Sequence, residues 1–248
     1  MGVEEHRDWN DVDFSKLMNG RAFPPGFMWG VATASHQIEG GNTNNWTRFE
    51  PRSKSGQESG DACDHWNRKS QDLELIKDLN VTHYRFSLEW SRIEPEMGTW
   101  NQDAIDWYSD LVDQLLHNGI QPMVTLHHFT NPLWWEDLGA FEDEANILYW
   151  IRFCSKMFEV MSDRVEWWCT INEPAVYASM GYVLGEFPPG ERSFKKTRQV
   201  SLNLMRAHAR CYRTLKSMEH GGTRKIGLVK NINLFDPYRR WNPLHRFQ

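Results

Sequence analysis

No run of roughly 18 apolar residues occurs in this 248-residue chain, so it offers no candidate membrane helix. The start, "MGVEEHRDWN", is charged and holds no apolar stretch of the kind a secretory signal needs. Met1-Gly2 does not open a myristoylation pattern either, because His6 stands where Ser or Thr is required. Basic excess is also missing. Lys and Arg number 28 against 33 Asp and Glu, a net charge of -5, which leaves no electrostatic footprint for nucleic acid. Cysteine is scarce. Cys63, Cys154, Cys169 and Cys211 stand far apart and form no CxxC, so reduced core thiols are expected instead of a disulfide framework. There is no fixed-period repeat and no low-complexity tract. These absences predict a cytoplasmic protein with no membrane and no nucleic-acid partner.

What the chain does have is indole: 13 tryptophans. Many can serve a core, and indole also suits the apolar C–H faces of sugar rings. Short β-branched segments alternate with amphipathic ones. Strands are expected at Met28–Thr33, Thr82–Leu88, Gln121–Leu126, Val165–Ile171 and Lys225–Asn231. Between them lie helical patterns. "QDLELIKDLN" sets Leu75, Ile76 and Leu79 on one face, and "DAIDWYSDLVDQLLHNG" sets Tyr108, Leu111, Val112, Leu115 and Leu116 on one face before Gly119 stops it. "EANILYWIRFCSKMFEVM" and "SLNLMRAHARCYRTLKSM" repeat the theme.

Alternation of this kind implies parallel βα units. Long segments follow the expected first and fourth strands, where a (β/α)8 barrel builds its active site. The spacing is about 49 residues per unit, so a closed barrel of eight would need about 390. The chain supplies four units and a fifth strand, and runs out at "WNPLHRFQ". The expected class is therefore α/β, of (β/α)8 TIM-barrel type, as a half-barrel over residues 23–248. A polar amino-terminal extension is expected over residues 1–22.

Four stretches carry a resemblance. They are "FPPGFMWGVATASHQIEG" (Phe23–Gly40), "YRFSLEWSRIEPE" (Tyr84–Glu96), "MVTLHHFTNPLW" (Met123–Trp134) and "WCTINEP" (Trp168–Pro174). In this order and spacing they resemble glycoside hydrolase family 1, the retaining β-glucosidases and β-galactosidases. The resemblance implies the (β/α)8 barrel, no cofactor and no metal. It makes Glu173 the general acid/base, protonating the leaving oxygen and then activating water. Such an acid needs a raised pKa, which a desolvated pocket supplies. Pro174 is expected to hold Glu173 in extended backbone and to end the strand. Asn172 matches the residue that holds the sugar 2-hydroxyl. Gln37 and His128 match residues that bind hydroxyls of the non-reducing sugar, and an amide can donate and accept along a diol edge.

Phe129 takes an aromatic position that is often Trp in the family. Arg85 matches an arginine beside the nucleophile, where a guanidinium keeps a carboxylate ionised. An arginine inside "YRFSLEW" is expected to face the barrel only with an acidic partner. His127 and His128, being neighbours on a strand, should face opposite ways and share no metal. Glu39 and Glu89 match no catalytic position and are expected to be structural. Ala140, in "DLGAF", departs from the family's usual second glycine, for which a loop adjustment is expected.

A retaining mechanism also needs a nucleophilic carboxylate, in the family within a "TENG"-like motif on the seventh strand. No such motif is found in this sequence. Three readings stay open: the amino-terminal half of a split or truncated enzyme, a non-catalytic half-barrel that binds carbohydrate weakly, and a half-barrel that pairs with itself. The expected partners are a β-glycoside or glucose-like sugar, with a second copy or a complementary carboxy-terminal half. Which sugar is preferred is left open.

Overall fold

A computed structural model describes residues 23–232 and Trp241. The extension expected over 1–22 lies outside the described residues. Five strands form one sheet in sequence order: β1 (Gly30–Ala32), β2 (His83–Ser87), β3 (Gln121–His127), β4 (Trp167–Asn172) and β5 (Lys225–Val229). Every neighbouring pair is parallel. The expected strands are all present, and no end differs from the expected one by more than two residues.

Parallel neighbours need a crossover, and helices supply it. α1 (His65–Asp78), α2 (Gln102–His117), α3 (Ile147–Met161) and α4 (Phe194–Ser217) follow β1 to β4 in turn. α2 starts where the Asn101 side chain accepts from the Ala104 amide at 3.2 Å. It ends before Gly119, whose φ of +75° only glycine adopts without cost. Its apolar stripe is the expected one: Tyr108, Leu111, Val112 and Leu115 are buried, and Leu116 is half-buried.

α1 differs from expectation. Leu73 and Ile76 face the core, while Leu75 and Leu79 are 63% and 60% exposed. Both pairs sit at helical spacing, so periodicity alone offers two candidate faces, and the position of the sheet chooses between them.

The strands, with Leu88 just after β2, bury Tyr84, Phe86, Val124 and Leu126 under these helices. Tryptophan serves mainly as core: Trp90, Trp135, Trp150 and Trp168 are buried, with Trp90 stacked on Phe153 at 5.0 Å between centroids. Cys154, Cys169 and Cys211 are buried free thiols, and Cys63 is exposed and free. The other side of the sheet is more open. Arg85, Met123 and Trp167 are half-buried there, and β5 is half-exposed over most of its length.

The corrected face of α1 sets an expectation for equilibrium urea unfolding. Leu73→Ala should cost about 2–5 kcal/mol, while Leu75→Ala should stay within about 0.5 kcal/mol. Equal losses would restore the face read from periodicity.

Candidate active site

The candidate side chains lie at or beyond the ends of β1, β3 and β4. The chain leaving β1 forms a short helix, Ser35–Ile38, that carries Gln37. The chain leaving β3 carries His128 and Phe129. These three line one cavity of ≈ 150 Å³ with His36, Trp46 and Phe187. That volume is small beside the roughly 300–1,000 Å³ of a complete ligand site. Phe129 stands edge-on to His128 at 5.2 Å and lies 5.7 Å from Phe187, so two aromatic walls meet an amide and an imidazole. Among the described residues, nothing hydrogen-bonds the Gln37 side chain or His128 Nδ1.

Phe129 has φ +73°, a left-handed conformation that a bulky residue keeps only when its surroundings enforce it. Asn45 supplies that enforcement. Its Nδ2 donates to the Phe129 carbonyl at 3.3 Å, and its Oδ1 accepts the Asn131 amide at 2.8 Å. Asn131 in turn accepts from His127 Nε2 at 2.8 Å. His127 therefore points into the core, against Phe141 and Tyr177, while His128 faces the cavity, so the two neighbours do face opposite ways.

Burial pushes His128 down to about 3, with the charge of Arg85, and of His127 when that ring is protonated, adding to the effect. His127 is pushed down to about 4, again by burial, against its bond to Asn131. At neutral pH both rings are uncharged. A neutral imidazole offers one donor and one acceptor, which suits a hydroxyl.

Arg85 crosses the inner face of the sheet. Its Nε donates to Thr125 Oγ1 at 2.8 Å on β3, and its Nη2 donates to Asn172 Oδ1 at 2.6 Å on β4. The expected acidic partner is not what it meets: a hydroxyl and an amide satisfy it. Asn172 reaches it across a bulge. The three steps from Cys169 to Asn172 face the two from Gly227 to Val229. Thr170 Oγ1 bonds His208 on α4, so plain alternation would turn Asn172 to the helix side as well. A bulge re-aims a side chain in this way.

Glu173 departs from expectation twice. Its backbone is left-handed, φ 44° and ψ 61°, instead of extended. Pro174 is already the first residue of a helix, Pro174–Ser179, so the chain must turn from strand to helix within one residue. Glu173 is also only half-buried, instead of enclosed in the expected pocket. Asn231 Nδ2 donates to its Oε1 at 3.3 Å. Glu173 also borders a largely apolar ≈ 400 Å³ cleft with Met205 of α4 and Leu228 of β5, apart from the cavity of Gln37 and His128. His36, Trp46, Phe187 and Asn231 escaped the sequence reading. Only the abundance of tryptophan hinted at any of them.

Ala140 has φ 43°, a glycine-like conformation held by an alanine. Beneath Gln37, Glu39 is buried. Burial, with Glu89 close by, pushes it up to about 8 against donation from Tyr108 and the charge of Arg92.

The family model described as Glycosyl hydrolase family 1 matches residues 19–244. Beta-glucosidase A of Thermotoga maritima is 39% identical over 230 residues, 89% of this chain and 51% of that protein. Cytosolic beta-glucosidase of Homo sapiens is 41% identical over 210 residues, 79% of this chain and 45% of that protein. Among solved structures, a beta-glycosidase from Pyrococcus horikoshii superposes with a TM-score of 0.81 at 43% identity, covering 88% of this chain and 51% of that one. A beta-glucosidase from Thermotoga maritima in complex with castanospermine gives 0.83 at 38% identity, covering 88% and 52%. The chain spans about half the length of the curated relatives it matches.

The shifted groups pull stability in opposite directions with pH. The histidines are depressed, so their contribution is present above about 6.5 and lost as pH falls toward about 3. Glu39 is raised, so its contribution is complete below about 4.5 and lost as pH rises through about 8. In urea unfolding followed against pH, His128→Asn should flatten the acid-side slope and Glu39→Gln the slope between about pH 5 and 8. Unchanged slopes in both variants would mean that neither group is perturbed as described.

Proposed function

The chain belongs to glycosyl hydrolase family 1, and from that premise we propose that it is the acid/base-bearing part of a retaining β-glucosidase. The convergence of Gln37, His128 and Phe129 on one cavity beside the ends of β1 and β3 carries the reading. In it, Gln37 and neutral His128 hold hydroxyls of the non-reducing sugar, and Phe129 supplies an apolar face. Asn172 holds the 2-hydroxyl. Glu173 gives its proton to the leaving oxygen and takes one back from the attacking water. We place the nucleophile on the remaining strands, outside these 248 residues. There Arg85 would meet it and keep it ionised, which supplies the acidic partner the guanidinium does not find within the described residues. Contact with those strands would also close the space around Glu173 and exclude bulk water from it. The reaction needs no metal or cofactor, since proton transfer and displacement are both done by carboxylates. No helix among the described residues is long and apolar enough to cross a membrane. A cytoplasmic location is proposed with the rest.

The partner follows from the open side. β1 and β5 are the sheet's edges, and unpaired edges invite pairing. Near β1, the rings of Phe23, Phe27 and Trp29 cluster within 4.8 Å of one another and are 44–50% exposed. An exposed apolar patch of this kind marks an association surface. We therefore propose that the chain works against a complementary carboxy-terminal half, or in its absence pairs with a second copy. The second arrangement is the non-catalytic reading.

An aryl β-glucoside assay separates these. The chain alone should give no appreciable turnover, because no covalent intermediate forms without a nucleophile. Adding the remaining strands should restore hydrolysis with retained configuration. Glu173→Ala should then slow substrates with poor leaving groups by about 10²–10⁴-fold and activated aryl glucosides far less. Equal slowing of both classes would remove Glu173 from the acid role.

Light scattering over a concentration range tests the partner. The chain alone should associate or aggregate. A well-folded 29.3 kDa monomer at every concentration, with a cooperative melt, would sink the association idea.

A further inference from the structure

Two buried carboxylates take no part in the proposed chemistry. Glu39 and Glu89 are 2% and 0% exposed. Carboxylates this deep are costly unless their partners are fixed, so the partners are informative. Glu89 accepts from Ser91 Oγ at 2.6 Å, from Ser35 Oγ at 3.0 Å and from Asn44 Nδ2 at 3.3 Å. Glu39 accepts from Tyr108 Oη at 2.5 Å and from Arg92 Nε at 3.3 Å. One hydroxyl joins the two, since Tyr108 Oη also accepts the Glu89 amide at 2.9 Å. Arg92 continues to the Gly40 carbonyl and to Asn42 Oδ1, both at 2.6 Å.

These bonds converge on one short element. Ser35 opens the helix Ser35–Ile38, and Glu39 closes it. Ser35 is held a second time, its amide donating to Ser87 Oγ at 2.8 Å. Both ends of the turn are thus tied to the segment after β2 and to α2, and Gln37 projects from its middle into the cavity. Asn44 extends the hold. Its Nδ2 also bonds His36 Nδ1 at 3.2 Å, while its Oδ1 accepts the Trp46 and Thr47 amides at 2.9 and 3.1 Å. The amide cannot flip without losing those two bonds, so His36 and Trp46 are fixed by the same group.

We propose that Glu39 and Glu89 are positioning residues, clasping the two ends of the Ser35–Ile38 turn and thereby setting Gln37 and His36 against the bound sugar. The proposal deepens the glycosidase reading and rests on it for the identity of the ligand. Its physical content is rigidity. A four-residue helix has no stability of its own, so the placement of Gln37 comes from its anchors. Small errors in such placement weaken binding and catalysis.

The test has two arms. In the first, hydrogen exchange is followed by mass spectrometry on the 248-residue chain, its Glu89→Gln variant and its Ser35→Ala variant. Ser35→Ala removes one bond and no charge, so it still reports if Glu89→Gln fails to fold. Exchange should quicken by about tenfold or more over residues 35–47, with α2 and α3 unchanged. No change in that segment, or a uniform change along the chain, overturns the clasp.

The second arm uses the protein restored with its remaining strands. KM for an aryl β-glucoside should rise by about tenfold with kcat within about twofold. Combination with Gln37→Ala should add nothing further, because a residue that acts through Gln37 then has nothing to position. Additive losses would assign Ser35 and Glu89 to the fold alone and overturn the proposal. An inactive restored protein would refute the glycosidase reading, while the exchange arm would still decide the clasp.

Discussion

Five strands paired in parallel must all leave the sheet at the same edge. Each return then needs a helix, and the helices of this chain lie over one side of the sheet. This constraint explains why residues far apart in sequence come to the same end of the sheet. Gln37, His128, Asn172 and Glu173 lie just beyond or at the ends of β1, β3 and β4. Helix length and core packing fix the distance between strand ends, and the segments after the strands are free to carry chemistry.

Within that frame, neutral polar groups do more than charged pairs. Arg85 spans β2 to β4 through Thr125 and Asn172, so its charge is oriented without being cancelled. An uncancelled guanidinium beside His128 helps keep that imidazole neutral. Phe129 tells a similar story. Its strained backbone is held by the amide of Asn45, and the same amide positions Asn131 and, through it, His127. The site is stiffened by side-chain amides that each serve several partners. Amides of this kind are costly to bury singly but strong as a fully satisfied network.

Much of this was legible in the residues. Alternation of β-branched and amphipathic segments gave the five strands and four long helices, since burial on one face writes a period into the sequence. Four motifs in order pointed to the family, and Gln37, His128 and Phe129 do share a cavity. Other features were illegible for physical reasons. Leu75 and Leu79 are as well spaced as Leu73 and Ile76, and only the sheet's position decides which pair is buried. The turn of Asn172 toward Arg85 depends on a bulge against β5, which no spacing within β4 announces. Glu173 follows local rules for a residue before proline until the immediate start of a helix overrides them. Phe187 and Asn231 enter the site from distant segments that carry no motif of their own.

The left-handed backbone of Glu173 has a consequence for how such a chain changes over many generations. In that conformation a side chain costs on the order of 1 kcal/mol or more relative to glycine. Selection for folding alone would therefore favour losing this glutamate, and a lineage freed from catalysis would tend to shed it early. A glutamate where glycine would be more stable is a local sacrifice of stability of the kind that trade-offs with activity allow. On the proposed acid/base role, that local cost is what this turn gives up in stability to present a carboxylate in place of a bare glycine.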